Sequence, residues 1–384
     1  MNPETASEKE FPLAAYKIAW LPGDGVGNDV MEAARLVLDA LKLDAEYIHG
    51  DIGWEFWRAE GNALPDRTIE MMRGTNAALF GAITSKPVAE AEKELVPELQ
   101  GKGLVYFSPI VRLRQEFNLH TNLRPCKAYP GNPLNYREGI DLVVFRENTE
   151  GLYSGIEAHP VPDALFDQLM AVAPKAKRFA DVPRDDMAVT VRLVTRKGCE
   201  SIVRRAFEYA EAHGRKSVTL VEKPNVLRQT GGLFTRTARK VAEEYPGIPL
   251  WETNIDAMCM WLVKNPQDYD ILVAGNMFGD IISDLAAQLV GGLGFAASGN
   301  IGDGFAVFEP THGSAPKYAG QYKVNPMAML LSVKMMLDFL GERDMAARLE
   351  QAIAAVIAEG EARTYDMGGT STTLEVAEEV ARKL

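Results

Sequence analysis

The chain alternates between two hydrophobic rhythms. Apolar runs of strand length occupy 16–21, 45–49, 77–81, 141–146, 187–194, 217–222, 250–253 and 269–274, whereas apolar positions three and four apart recur through 198–213, 234–245, 256–263 and 280–289. Strands alternating with helices predict an α/β fold. Past residue 325 the pattern is helical, over 326–340, 345–358 and 373–384. The stretch 157–184, with four prolines, breaks the rhythm and reads as an inserted arm or a long functional loop.

Between the first strand and a helix carrying Val30, Ala33, Ala34, Val37, Leu38 and Leu41 lies LPGDGVGNDV, 21–30. Strand, glycine turn and helix suggest a dinucleotide loop, but that fingerprint is G-x-G-x-x-G with an acidic residue about 20 positions on. Here Gly23, Gly25 and Gly27 follow G-x-G-x-G and Asp51 comes too late. The spacing argues against a Rossmann loop.

At 384 residues the chain is long enough for two domains or one large α/β unit. A net charge of -12 argues against nonspecific nucleic-acid binding, which needs a basic surface. Cys126, Cys199 and Cys259 are scattered, so no zinc site or disulfide frame is expected and a reducing cytoplasm fits. The first sixteen residues lack the basic start and apolar run of a signal peptide, and no apolar run reaches membrane-spanning length.

Two groups of residues suggest chemistry. Asp280 and Asp284 lie one turn apart in FGDIISDLAAQL, and Asp256 lies in NIDAMCMWLV, an apolar helix expected to bury it. Asp280 alone reads equally as a helix N-cap. Three carboxylates without paired histidines are hard oxygen ligands suited to Mg2+ or Mn2+. Arg112, Arg114, Arg124 and Arg146 form a basic group, and arginine forks match carboxylates bidentately. Tyr153 and Lys223 are candidate proton-transfer groups, the lysine at the mouth of a buried strand. The glycine-rich tract 291–326, with His312, Lys317, Tyr318 and Asn325, is the better nucleotide candidate, and reads otherwise as a packed loop.

In this order, GDGVG, LRQEFNLHTNLRP, RENTEGLYSGIE, EKPNV, NIDAMCM, GNMFGDIISDLAA, GNIGD and HGSAPKYAG resemble the β-decarboxylating dehydrogenases of isocitrate, isopropylmalate and homoisocitrate. The resemblance implies an isopropylmalate dehydrogenase-like α/β/α fold that is not a Rossmann fold. Its large domain would comprise 1–119 and 291–384, its small domain 120–150 and 196–290, and a clasp-like arm 151–195. It also implies that Ser108, Arg114, Arg124, Arg146 and Asn225 bind substrate and that Tyr153 and Lys223 move protons. Asp256, Asp280 and Asp284 would hold Mg2+ or Mn2+. Thr84, His312, Gly313, Ser314, Ala315, Lys317, Tyr318, Val324, Asn325 and Tyr365 would bind the nicotinamide cofactor. Lys223 and Asp256 would come from the partner subunit of an obligate homodimer.

Within that family, RENTEG followed by LYSGIE resembles isocitrate or homoisocitrate enzymes more than isopropylmalate enzymes, and Ser108 falls where isocitrate enzymes have a serine, so isocitrate is the first choice. Ile110 departs from many of these, and NIDAMCM resembles the isopropylmalate version, so isopropylmalate, homoisocitrate and malate- or tartrate-type acids are the alternatives. Lys317, Tyr318, Val324 and Tyr365 match an NADP pattern, but Gly369 stands where that pattern has an arginine, which leaves NAD as the second choice. A noncatalytic subunit on the same fold is the reading from another class.

Overall fold

The computed structural model describes residues 14–384, so most of the first sixteen residues, read above for a signal peptide, lie outside the described residues. Its strands are β1 (Tyr16–Gly23), β2 (Ala45–His49), β3 (Ala77–Ala82), β4 (Thr121–Lys127), β5 (Asp141–Glu147), β6 (Glu157–Ala158), β7 (Val189–Thr190), β8 (Val218–Glu222), β9 (Leu250–Asn254), β10 (Ile271–Ala274), β11 (Ala297–Ile301) and β12 (Ala306–Pro310). Ten form one sheet in the order β2-β1-β3-β12-β11-β4-β5-β10-β8-β9. The blocks β2-β1-β3-β12 and β5-β10-β8-β9 are each parallel, and the three pairings between them are antiparallel. Three reversals make the two blocks run in opposite directions. This is a mixed sheet, not the doubly wound parallel sheet of a Rossmann domain.

Helices cover both faces because each sheet face is apolar. Val26–Leu41 presents Val30, Ala34, Val37, Leu38 and Leu41 to the sheet at helical spacing, alongside Met327–Leu340, which is buried almost all round. Complete burial of each large aliphatic side chain contributes about 1.5 to 3 kcal/mol, so this layer is a main source of stability. Thr373–Arg382 begins with a capping box between Thr372 and Glu375. In the second block Arg196–His213 and Thr230–Ala242 cover one face, and Ile255–Lys264 and Asn276–Gln288 the other.

Several elements differ from the sequence expectation. The strand expected at 187–194 shrinks to Val189–Thr190, which pairs only with β6. The 157–184 stretch contains the helix Asp163–Val172. The glycine-rich tract, read as loop, contains β11 and β12 in antiparallel pairing. Strand β4 has too polar a sequence to stand out, yet together with β11 it joins the two blocks.

Because side chains alternate along a strand, β4 serves two hollows. Arg124 lines a front cleft of about 610 Å³. Pro125 and Lys127 line a back groove of about 570 Å³.

Candidate active site

The GDGVG turn supports the front cleft instead of binding in it. Gly25 has φ 56°, and a Cβ there would lie 2.2 Å from the Ser314 carbonyl oxygen, so only glycine allows this approach. The Val26 N–H donates to that oxygen at 2.9 Å. Asp24 accepts from the N–H groups of Trp54 at 2.6 Å and Thr84 at 2.8 Å. Burial raises the Asp24 carboxyl above its ordinary range, against the lowering effect of those donors. The turn thereby fixes Thr84 and Ser314, whose hydroxyls are 2.6 Å apart on the cleft wall.

The rest of the wall comes from the loop after β12. Thr311, His312, Gly313 and Ser314 line the cleft, and Ala315 takes a left-handed conformation with φ 36°. His312 Nε2 and Thr311 Oγ1 are out of contact with solvent and have no hydrogen-bond partner. Burial lowers the His312 imidazole, holding it neutral. Buried polar atoms normally find partners, so two orphans beside a cleft fit a bound nucleotide. Tyr318 and Tyr365 lie 6.0 Å apart, with Lys317 4.7 Å from the first ring and Lys323 5.2 Å from the second. Val324 packs on the large core, and buried Asn325 donates to Asp366 at 3.1 Å. Gly369 is locked in its turn: a Cβ there would lie 2.1 Å from the Arg363 carbonyl oxygen.

Two arginines meet the carboxylates of Asn276–Gln288, and a third lies beside Glu309. Arg146, buried at the end of β5, donates to Asn276 and pairs with Asp280. Arg124 donates to Ser283 at 2.7 Å and Asp284 at 2.9 Å and lies 3.3 Å from Asp280. Arg114 donates to Asn300 at 2.9 Å and lies 3.7 Å from Glu309. Burial lowers the pKa of Arg114 and Arg146. The Tyr153 hydroxyl donates to Asp280 at 2.6 Å. Burial alone would raise the Asp280 carboxyl, but Arg146, Tyr153 and Arg124 outweigh it and hold it low. Burial, with Asp280 beside it, raises the Tyr153 phenol, which therefore keeps its proton.

Two expectations are corrected here. The helix starts at Asn276 after Gly275, so Asp280 lies in its second turn and is no N-cap. Asp256 sits in the first turn of Ile255–Lys264 with its side chain 66% exposed, where the helix begins directly after β9, the edge strand of the sheet. It pairs with Lys223, whose hydrogen bond lowers the Asp256 carboxyl. Among the described residues no three His, Cys, Asp or Glu side chains gather as a metal site. One chain therefore supplies Asp280 and Asp284 in one place and Asp256 in another. Asn225 is exposed in the turn after Lys223, and Ser108 precedes the helix Pro109–Glu116. Arg112 turns away to Asp66 at 2.7 Å.

Sequence reasoning missed Asn276, Asn300, Glu309 and Lys323. Asn276 was findable, since it lies four residues before Asp280 on the same helix face. Asn300 and Glu309 belong to strands hidden in the glycine-rich tract.

A family model described as isocitrate/isopropylmalate dehydrogenase matches residues 17–380. Protein DlpA of Legionella pneumophila is 40% identical over 366 residues, 95% of this chain and 58% of that protein's length. A 3-isopropylmalate dehydrogenase of Archaeoglobus fulgidus is 43% identical over 368 residues, 96% of this chain and 99% of its own. The solved structure of isocitrate dehydrogenase from Methylococcus capsulatus superposes with a TM-score of 0.83 at 38% identity, covering 96% of this chain and 99% of that one.

Proposed function

The chain belongs to the isocitrate/isopropylmalate dehydrogenase family of decarboxylating oxidoreductases, and from that premise we propose that it oxidatively decarboxylates a 2-hydroxy di- or tricarboxylate, most readily isocitrate, with NADP. The family acts on small hydroxy acids and depends on NAD(P) and a divalent metal. The observation that carries the reading is the meeting of Arg124 and Arg146 at Asp280, which also accepts from Tyr153, beside a cleft lined by Arg114 and Arg124. Buried arginines in such number suit a substrate with several carboxylates.

Asp280 and Asp284 supply hard oxygen donors for Mg2+ or Mn2+, with Asp256 joining them from a second copy. The orphaned His312 and Thr311 atoms would face the cofactor, with Lys317, Tyr318 and Tyr365 toward a 2'-phosphate. When bound, the nicotinamide supplies a hydride acceptor and the divalent ion supplies Lewis acidity at the new carbonyl. The arginines orient the carboxylates. Lys223 of the partner subunit takes the hydroxyl proton, and Tyr153 delivers its phenolic proton to the carbon that loses CO2.

The same reading makes the chain a homodimer with shared sites, divided into the large domain, small domain and arm given above. Exposed Trp251, Met260 and Trp261 support a partner-covered surface. No helix among the described residues is long and apolar enough to cross a membrane, and all three cysteines are free, which supports a reducing cytoplasm.

The test is reduced-nicotinamide formation by the purified oligomer with Mg2+ or Mn2+. The acids are isocitrate, isopropylmalate, homoisocitrate, malate and tartrate, each with NAD and NADP. A dominant isocitrate and NADP rate upholds the assignment. A dominant rate with another acid transfers specificity to Ile110, which lines the cleft. Absence of turnover supports the noncatalytic reading.

A further inference from the structure

Glu222, the last residue of β8, is 1% exposed. A carboxylate this deep needs a cation and donors for both oxygens. Its Oε1 meets Arg192, and its Oε2 accepts the backbone N–H of Lys223 at 3.0 Å. Arg192 also donates to Thr230 Oγ1 at 3.2 Å, at the start of Thr230–Ala242, and lies 5.3 Å from the Phe278 ring. Gly231 leaves room for this carboxylate, since a Cβ there would lie 2.5 Å from Glu222 Oε2.

Arg192 belongs to the arm, not to the sheet. Its neighbours are pinned: the Val191 N–H donates to the Ile156 carbonyl oxygen at 2.8 Å, and the Gly151 N–H to the Leu193 carbonyl oxygen at 2.8 Å. Thr195 N–H donates to Glu150 at 2.8 Å. The arm's return segment therefore ends in a fixed guanidinium aimed at the residue before Lys223.

We infer that Arg192 and Glu222 are positioning residues for Lys223, a buried ion pair through which the arm sets the main chain carrying the proton acceptor. The inference rests on the reading of Lys223 given above. Neither side chain need touch substrate. Misplacement of a reacting group by about 1 Å can cost on the order of 100-fold in rate.

The test compares Lys223→Met, Arg192→Met, Arg192→Lys and Glu222→Gln in the full-length oligomer, with the best acid of the panel. Glutamine keeps the volume of Glu222 but has one acceptor oxygen for two donors, Arg192 and the Lys223 N–H, so it breaks one link with little repacking. The expected result is a fall in kcat per folded molecule of roughly 10- to 100-fold in Arg192→Met and Glu222→Gln. KM for the hydroxy acid stays within about twofold, since the substrate arginines are untouched, and Arg192→Lys restores part of kcat. A merely structural pair would lower the melting temperature and the folded yield and leave kcat per folded molecule unchanged, and that outcome overturns the inference. If Arg192→Met does not fold, Glu222→Gln decides by the same two readouts. Turnover retained in Lys223→Met sinks the reading of Lys223 itself, whereas an inactive Lys223→Met beside a fully active Glu222→Gln sinks only the positioning role.

Discussion

The two hollows beside β4 have similar volumes, about 610 and 570 Å³, and both are lined with charge. In the back groove most of that charge is matched within the chain. Lys127 meets Glu350 at 2.5 Å, Lys334 meets Asp338 at 2.9 Å, and Arg215 lies between Asp141 and Asp270 at 2.8 and 3.0 Å. In the front cleft Arg124 is paired with Asp284 at 2.9 Å and Lys86 with Glu94, but Arg114 is 3.7 Å from its nearest carboxylate, and His312 and Thr311 have unpaired buried atoms. A hollow whose polar groups satisfy one another holds the fold together, and one that leaves them waiting is built for a ligand.

Four experiments separate the hollows. A chelator should abolish turnover, with recovery on adding Mg2+ or Mn2+; metal-independent turnover would remove Asp280 and Asp284 from their assigned role. Arg124→Met should lower kcat/KM by about 10²- to 10³-fold, the result of losing about 3 to 4 kcal/mol of desolvated charge pairing. An effect below tenfold would mean that Arg124 only supports Asp284. His312→Ala should raise KM for the cofactor about tenfold, as expected for one lost hydrogen bond in a dry pocket, with kcat nearly constant. Glu350→Gln should lower stability by about 1 to 2 kcal/mol and leave kcat unchanged, measured by urea unfolding and by turnover.

The last variant also has a pH signature. Burial would raise the Glu350 carboxyl, but Lys127 and Lys334 outweigh it and hold it below its ordinary value. A depressed acid stabilises above its unfolded pKa, about 4.3, and loses that contribution as pH falls through its folded value. Glu350→Gln should therefore flatten the acid side of the stability profile while leaving neutral-pH turnover intact. An unchanged acid limb would contradict the pairing.

How much of this was legible in the sequence depended on which force made each element. Strands β5, β8 and β10 are buried apolar runs, and Val26–Leu41 has a clean helical stripe, so pattern sufficed for them. Strand β4 reads TNLRPCK, with a proline that argues against a central strand. Its place comes from pairing with β5 and β11, which no local window contains. Arg124, Arg146, Asp280 and Asp284 were legible because charge amid apolar runs needs a reason. The exposure of Asp256 was not, because apolar neighbours suggested burial while the helix starts at the edge strand β9. Arg192 and Glu222 escaped notice because their meeting depends on the path of the arm.

Gly369 bears on how this chain could change over generations. Its N–H donates to Thr364 at 3.0 Å, and its α-carbon faces the Arg363 backbone with no room for a side chain. A single substitution to arginine would force the turn open before the new charge could reach a phosphate. Under the NADP assignment proposed above, the route to a stricter cofactor preference through this position would pass through a damaged intermediate, and selection would sooner act on Lys317 or Lys323, whose side chains already lie beside the tyrosine rings.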